Sequence, residues 1–364
     1  MSAIVIFESH ASVPTGHYAD KCELWLTEAL KHFDRVILVC YGKPAVEIPP
    51  SVEIESLGRL SLGGWRIWNR LRSHVNVFRG ALKACRLANR IDAPCLLLSA
   101  TPPLALFAAL RLGQPRSSAQ ILMNLGKDGL LPARARKLFE DCVNTTWMCC
   151  NTRHSASSLE TLFGKREKII YLPDPIGEPE VRTFPDRGIH KLFIPGDDDD
   201  RRTSIRRLGE VAGSVNGLTF ALHQPGLSRG RETFIREQIP GDWTFYHAFA
   251  ADRVDFESRF LSADAILICY RHDVTFGSGN LVLALMCHRP LLVSRFPGAL
   301  ELAEEFGLIG EFFDESDGKS MAEALDRLRK WSAQKWEEFE QTVTKVRGRH
   351  SASAVCSSLF HRLN

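Results

Sequence analysis

Short apolar runs alternate along this chain with longer stretches whose apolar residues recur every three or four positions. The runs at 3–7, 36–40, 95–99, 119–123, 146–150 and 168–172 predict strands in the first half. Those at 192–194, 218–222, 243–246, 265–269 and 291–293 predict strands in the second. Several are apolar at every position, as in Cys95-Leu96-Leu97-Leu98 and Ala265-Ile266-Leu267-Ile268. A strand that shows no polar face is covered on both sides, as happens in parallel sheets flanked by helices. Strand followed by helix, repeated, means βαβ units, and so an α/β fold. The prolines at 173, 175, 179 and 185 interrupt the pattern, because proline fixes φ and removes a donor. They predict a linker, with one domain over 1–173 and a second over 174–344. The helical pattern from about 320, through Trp331, Trp336 and Phe339, continues to the end, and a helix at about 345–364 is expected to pack back on the first domain.

Length supports two domains, since 364 residues exceed what one core fills. At 24% charged and 45% hydrophobic, the composition is that of a globular chain and excludes disordered and collagen-like classes. No run approaches the ~18 apolar residues of a membrane span, and the chain opens directly into Ala3-Ile4-Val5-Ile6-Phe7. A cytoplasmic location is therefore expected. The ten cysteines form no C-x-x-C pair and no zinc-like cluster with histidine, so they read as small buried hydrophobes. The net charge of +3 hides an asymmetry: residues 1–173 carry 22 Lys/Arg against 14 Asp/Glu, and residues 174–364 carry 24 against 29. The first half should favour anionic surfaces.

The most informative segment runs from Ser262 to Phe313. A buried strand leads through Tyr270 into a loop, then Gly277-Ser278-Gly279-Asn280 opens a helix, and Pro290 opens the next strand. Free backbone N–H groups and the helix dipole at such a turn make an anion site, and glycine lets a phosphate approach closely. The same residues could equally be a plain capping turn.

In series, Ala263-Asp264-Ala265-Ile266-Leu267-Ile268-Cys269-Tyr270, the Ser278-Gly279 loop, Ala284-Leu285-Met286, Arg289-Pro290 and Pro297-Gly298-Ala299-Leu300-Glu301 resemble the donor-binding region of GT-B-fold glycosyltransferases. The likeness is strongest to the large glycosyltransferase group 1/4-like superfamily, which includes bacterial exopolysaccharide and lipopolysaccharide sugar transferases. Phe193-Ile194-Pro195-Gly196 followed by Arg201-Arg202 fits the same register, as do His247-Ala248-Phe249 and the segment Phe256–Leu261. The resemblance implies two Rossmann-like domains with a cleft between them. It implies transfer of a sugar from a nucleotide-diphosphate sugar, a co-substrate, with no cofactor and no metal. Ser278, Gly279 and Asn280 would hold the diphosphate through their amides, and Arg201 or Arg202 would neutralise it. Tyr270 and Glu301 would lie near donor sugar or phosphate, and His247 and Phe249 near the base. The chain departs from the pattern in one respect. The two glutamates seven residues apart in many retaining relatives would fall at Thr275 and Leu283, and neither is acidic. Retaining or inverting chemistry is left open.

In the first half, the family's loop facing acceptor and donor phosphate corresponds to Glu8-Ser9-His10 and to Pro14-Thr15-Gly16-His17, which makes Gly16 a further phosphate contact. An inverting mechanism needs a general base, and the candidates are His10, His17 and Asp128. From Arg59 to Arg90 there are eight Lys/Arg and no acid. A helix there would set Trp68 and Phe78 on one stripe beside Arg66, Arg70, Arg72 and Arg79, the pattern of a helix lying on an anionic membrane. No nucleic-acid reading motif accompanies the charge. The expected function is a glycosyltransferase of surface polysaccharide synthesis acting on a glycan or lipid-linked acceptor, cytoplasmic or peripheral on the inner membrane face. A two-domain nucleotide-sugar epimerase and a non-catalytic nucleotide-sugar binding subunit are the alternatives.

Overall fold

The computed structural model describes residues 2–12, 17–58, 66–98, 103–122, 133–177, 179, 188–197, 202–215, 217–248, 250, 253–272, 274 and 278–364; at 17–20, 66–73, 103, 133–135 and 214 it describes the backbone alone. The chain forms two compact units, Met1–Gly177 with Ser351–Asn364, and Glu178–His350.

The first unit is built in the order β1 (Ala3–Glu8), α1 (His17–Ala29), β2 (Arg35–Cys40), β3 (Val52–Ser56), α2 (Arg66–Arg90), β4 (Cys95–Leu97), α3 (Pro103–Gly113), β5 (Ser118–Leu122), α4 (Ala133–Cys142), β6 (Thr146–Cys150), α5 (Arg153–Phe163) and β7 (Ile169–Tyr171). Its sheet has the order β3-β2-β1-β4-β5-β6-β7, and every pairing is parallel. Alternation along β1 and β2 explains the double burial. Val5, Phe7, Ile37 and Val39 join one apolar cluster with residues of α2 to α5, whereas Ile4, Ile6, Leu38 and Cys40 join another with Trp25 and Leu26 of α1.

The second unit continues with β8 (Lys191–Ile194), α6 (Ser204–Glu210), β9 (Thr219–His223), α7 (Arg229–Gln238), β10 (Asp242–Tyr246), α8 (Arg253–Leu261), β11 (Ala265–Ile268), α9 (Gly279–Met286), β12 (Leu291–Ser294), α10 (Pro297–Phe306), β13 (Gly310–Phe313), α11 (Gly318–Arg329) and α12 (Ala333–His350). Its parallel sheet has the order β10-β9-β8-β11-β12-β13. The last helix, α13 (Ala352–Leu363), belongs to the first unit: Phe360 meets the rings of Trp25 and Phe33 edge-on, and Ile176 bridges to Ser351.

Two parallel sheets wrapped in helices are the α/β architecture expected from the strand pattern. All eleven expected strands are present, and two more, β3 and β13, were not expected. Both are edge strands. An edge needs only one apolar face, so β3 alternates as Val52-Glu53-Ile54-Glu55 rather than running apolar throughout. All ten cysteines are free and buried. Burial, and next the Glu8 charge, lift the Cys40 thiol to about 11, which leaves it inert as a nucleophile at neutral pH. Among the described residues, no helix is long and apolar enough to cross a membrane.

Candidate functional site

In a parallel sheet whose strand order reverses, adjacent crossovers leave to opposite faces and open a crevice outside the carboxyl ends of the two central strands. In the second unit that reversal falls between β8 and β11. Arg202 follows β8 and Tyr270 follows β11, and their backbones form an isolated antiparallel bridge. The Arg202 guanidinium donates from Nη2 to the Tyr270 hydroxyl at 2.7 Å and lies 5.0 Å over the centre of its ring. Tyr270 is itself held from behind. Its N–H donates to the buried Ser294 hydroxyl at 2.9 Å, that hydroxyl donates to the Tyr270 carbonyl at 2.7 Å, and Phe296 packs edge-on at 4.9 Å. Gly196, at φ +138°, gives the guanidinium its space, because a β-carbon there would collide with Nη1 of Arg202. Among the described residues, a phenol and a carbonyl are the acceptors that hold this cation at the crevice.

The turn before α9 supplies the second half of the site. Ser278 is the N-cap in extended conformation, yet its hydroxyl makes no capping bond and lies 3.3 Å from the Tyr270 hydroxyl instead. Among the described residues, the first N–H groups of α9, at Gly279 and Asn280, have no side-chain cap, and they carry the positive end of the helix dipole. A side chain added at Gly279 would enter open space. Asn280 is buried, and its Oδ1 has no hydrogen-bond partner. A buried carbonyl left unpaired costs about 1–3 kcal/mol, which a hydroxyl-bearing ligand would recover. Thus Arg202, Tyr270 and Ser278 form one line, with Gly279 and Asn280 following on α9. Together they offer a guanidinium, two hydroxyls and free amides, which is what a phosphate group needs.

Sequence reasoning missed a third group here. His223 ends β9, next to β8 in the sheet, and the Arg259 guanidinium of α8 bonds its Nδ1. Burial above all, then the Arg259 charge and more weakly Arg202, pull the imidazole down to about 4, against the opposing Asp255 carboxylate. Arg259 is held by Asp255 at 2.8 Å and stacks on Tyr246 at 4.5 Å. The available signal was a polar residue closing the apolar run Phe220-Ala221-Leu222 at the end of the strand where such sheets bind ligands.

The remaining expected residues fall as follows. His247, after β10, is exposed and pairs with Glu232 of α7 at 3.1 Å. Glu301 lies half-buried on α10. Arg201 and Phe249 lie outside the described residues, as do Gly16 and Asp128. His17 opens α1, with only its backbone described. Thr275 is likewise outside, whereas Leu283 is buried in α9 as an ordinary apolar residue. Among the described residues no three His, Cys, Asp or Glu side chains converge as a metal site, and Asp198–Asp200 lie outside them.

The first unit reverses its strand order between β1 and β4. Glu8, the last residue of β1, is buried and accepts the His10 N–H at 2.8 Å, and the Ser9 hydroxyl lies 2.8 Å from His10 Nδ1. Glu8, Trp25 and the Lys21–Asp174 ion pair (2.9 Å) line a cavity of about 20 Å³. That volume suits a water molecule, not a sugar. On α2, Arg66, Trp68, Arg70 and Arg72 are described by backbone alone. Phe78, expected on the stripe that faces a membrane, is half-buried against the core of the unit, because the sheet needs that stripe. Arg79 is exposed, and with Lys83, Arg86 and Arg90 it lines a basic groove of about 470 Å³ in which Glu55 is the one acid.

No protein-family model matches the chain, and no curated protein matches it in sequence. Its fold does match solved structures over the whole length. HepE of Anabaena, solved in complex with UDP and glucose, superposes with a TM-score of 0.69 at 12% identity, covering 100% of this chain and 99% of HepE. A UDP-forming α,α-trehalose-phosphate synthase of Burkholderia xenovorans gives 0.71 at 12%, with 100% and 99% covered. The corresponding synthase of Burkholderia vietnamiensis gives 0.69 at 14%, again with 100% and 99% covered. The class these define is the two-domain α/β fold of the GT-B glycosyltransferases. The chain has that fold.

Proposed function

We propose that the chain is a glycosyltransferase that draws a sugar from a nucleotide-diphosphate donor bound at the strand ends of its second unit. The observation that carries the reading is the Arg202–Tyr270–Ser278 line at the reversal of the second sheet, beside the uncapped start of α9. A fixed cation and fixed amide dipoles are what a departing nucleoside diphosphate requires, because its charge grows as the sugar leaves. Arg202 would hold the diphosphate, with Arg201 adjacent in sequence. The Gly279 and Asn280 amides would bind its second phosphate, and Tyr270 and Ser278 would orient both. Structural neighbours captured with UDP or UDP-glucose support the donor class and make UDP the first probe to use.

The acceptor would be a glycan or lipid-linked intermediate of surface polysaccharide synthesis, bound by the first unit, with Gly16 and one of His10, His17 and Asp128 serving it. The basic groove of α2, where Arg79, Arg86 and Arg90 are exposed, supports a position on an anionic membrane surface. Incubating the chain with a panel of nucleotide sugars, with and without lipid extract, tests the whole reading. Release of nucleoside diphosphate that depends on acceptor is expected. Conversion without acceptor would make it an epimerase, and binding with no turnover would make it a nucleotide-sugar binding protein.

A further inference from the structure

We propose that His223 is a further ligand-binding residue of this site: a neutral imidazole, fixed as the Nε2–H tautomer by Arg259, that donates its Nε2–H to a phosphate oxygen of a nucleoside diphosphate beside the Arg202 guanidinium. The inference rests on the reading of Arg202 as the arginine that holds the diphosphate.

The tautomer follows from donor chemistry. A guanidinium has five N–H donors and no acceptor, so the ring nitrogen it touches must be the acceptor. Arg259 bonds Nδ1, and the ring proton therefore resides on Nε2. Arg259 cannot turn away to release it, because Asp255 holds its Nη2 at 2.8 Å, the Ala248 carbonyl lies 3.4 Å from Nη1, and the Tyr246 ring lies beneath it. Nothing in the described structure accepts the Nε2–H.

The residue is only 8% exposed, yet its Nε2 is not among the buried side-chain atoms without a partner, so the Nε2–H keeps access to solvent and an arriving ligand can take it. Position argues for that ligand. His223 stands at the carboxyl end of β9, its carbonyl beside Gly196, and Gly196 is the residue against which the Arg202 guanidinium lies. Among the described residues, the charged groups facing the imidazole are Arg259 and Asp255 of α8 and Arg202 after β8. Counted over the described residues, two guanidiniums stand against one carboxylate, which favours an anionic acceptor over an amine. A neutral donor also avoids placing a third cation there, and its contribution does not vary with pH across the neutral range.

The test begins with the unaltered chain and calorimetric titration with UDP, GDP, ADP and dTDP. The tightest binder and its parent nucleoside are then titrated into His223→Phe and His223→Gln. Phenylalanine keeps the shape and removes the donor, and glutamine keeps an N–H at similar reach. We expect H223F to weaken diphosphate binding about tenfold, or ~1.4 kcal/mol. Nucleoside binding should stay within about twofold, and H223Q should recover most of the loss. Equal diphosphate affinity in H223F and the native chain overturns the proposal, as does a loss shared equally by nucleoside and diphosphate. Failure of the native chain to bind any of the four overturns the donor reading first, and this inference with it. Should H223F fold poorly, nitrogen-15 histidine spectra of the native chain decide the matter. A protonated Nε2 that shifts when diphosphate is added supports the assignment, and a His223 signal indifferent to saturating diphosphate overturns it.

Discussion

The two sheets reverse strand order in the same way, between β1 and β4 in one unit and between β8 and β11 in the other, yet the chemistry at the two reversals is opposite. The first presents a buried carboxylate, Glu8, beside a water-sized cavity. Among the described residues, the second presents a guanidinium that meets no carboxylate, two hydroxyls, a neutral imidazole and a helix start that Ser278 does not cap. Topology therefore says where a ligand goes, and the residues just past the strand ends say which charge it carries. Among the described residues, the reversal of the second sheet suits an anion, and that of the first does not.

Breaking the cation should have the largest effect. Arg202→Ala is expected to weaken nucleoside diphosphate binding about a hundredfold, ~2.7 kcal/mol, since charge-assisted and bidentate bonds to phosphate are lost together. Glu8→Gln, at the other reversal, should leave that affinity within about twofold. Calorimetry on both variants checks the contrast, and equal losses would erase it.

The second effect is on stability. His223 is held near 4 when folded and titrates near 6.5 when exposed, so between those values the unfolded chain binds the extra proton. Stability should accordingly fall as pH drops from about 6.5 toward 4, by on the order of 2 kcal/mol between pH 7 and pH 5 from this group. Denaturant unfolding at pH 7 and pH 5 measures it, and H223Q should flatten the slope. A slope unchanged in H223Q would show that the imidazole is not held neutral.

The smallest effect sharpens the picture of how the cation is held. Tyr270→Phe removes the hydroxyl that Arg202 donates to but keeps the ring beneath it. A loss of about fivefold in diphosphate affinity is expected, ~1 kcal/mol, the net worth of one such bond. A hundredfold loss would mean that the tyrosine touches the ligand itself.

Much of this was legible in the residues. Strands covered on both faces announce themselves as apolar runs, which is why the central strands of both sheets stood out. Two of the four edge strands, β3 and β13, did not: Val52-Glu53-Ile54-Glu55 is mostly exposed, and Gly310-Glu311-Phe312-Phe313 opens with a glycine and a glutamate that read as loop. In the site, Ser278, Gly279, Asn280, Arg202 and Tyr270 were named from the order of their motifs. The bond that joins Arg202 to Tyr270 spans 68 positions, and no local pattern could display it. His223 escaped because a histidine closing a strand carries no motif. Its role depends on Arg259, which lies 36 positions away on α8. Phe78 shows the opposite error: an apolar stripe beside arginines reads as a membrane face, but the sheet behind the helix claims it first.

The most direct test is whether the second unit takes up a nucleoside diphosphate. Thermal unfolding of the native chain and of R202A with millimolar UDP, GDP, ADP and dTDP answers this, because a ligand that binds only the folded state raises its melting temperature. At least one of the four should raise the native Tm in a saturable way while leaving that of R202A unmoved. A native chain indifferent to all four, or an R202A chain that responds as the native one does, would contradict it.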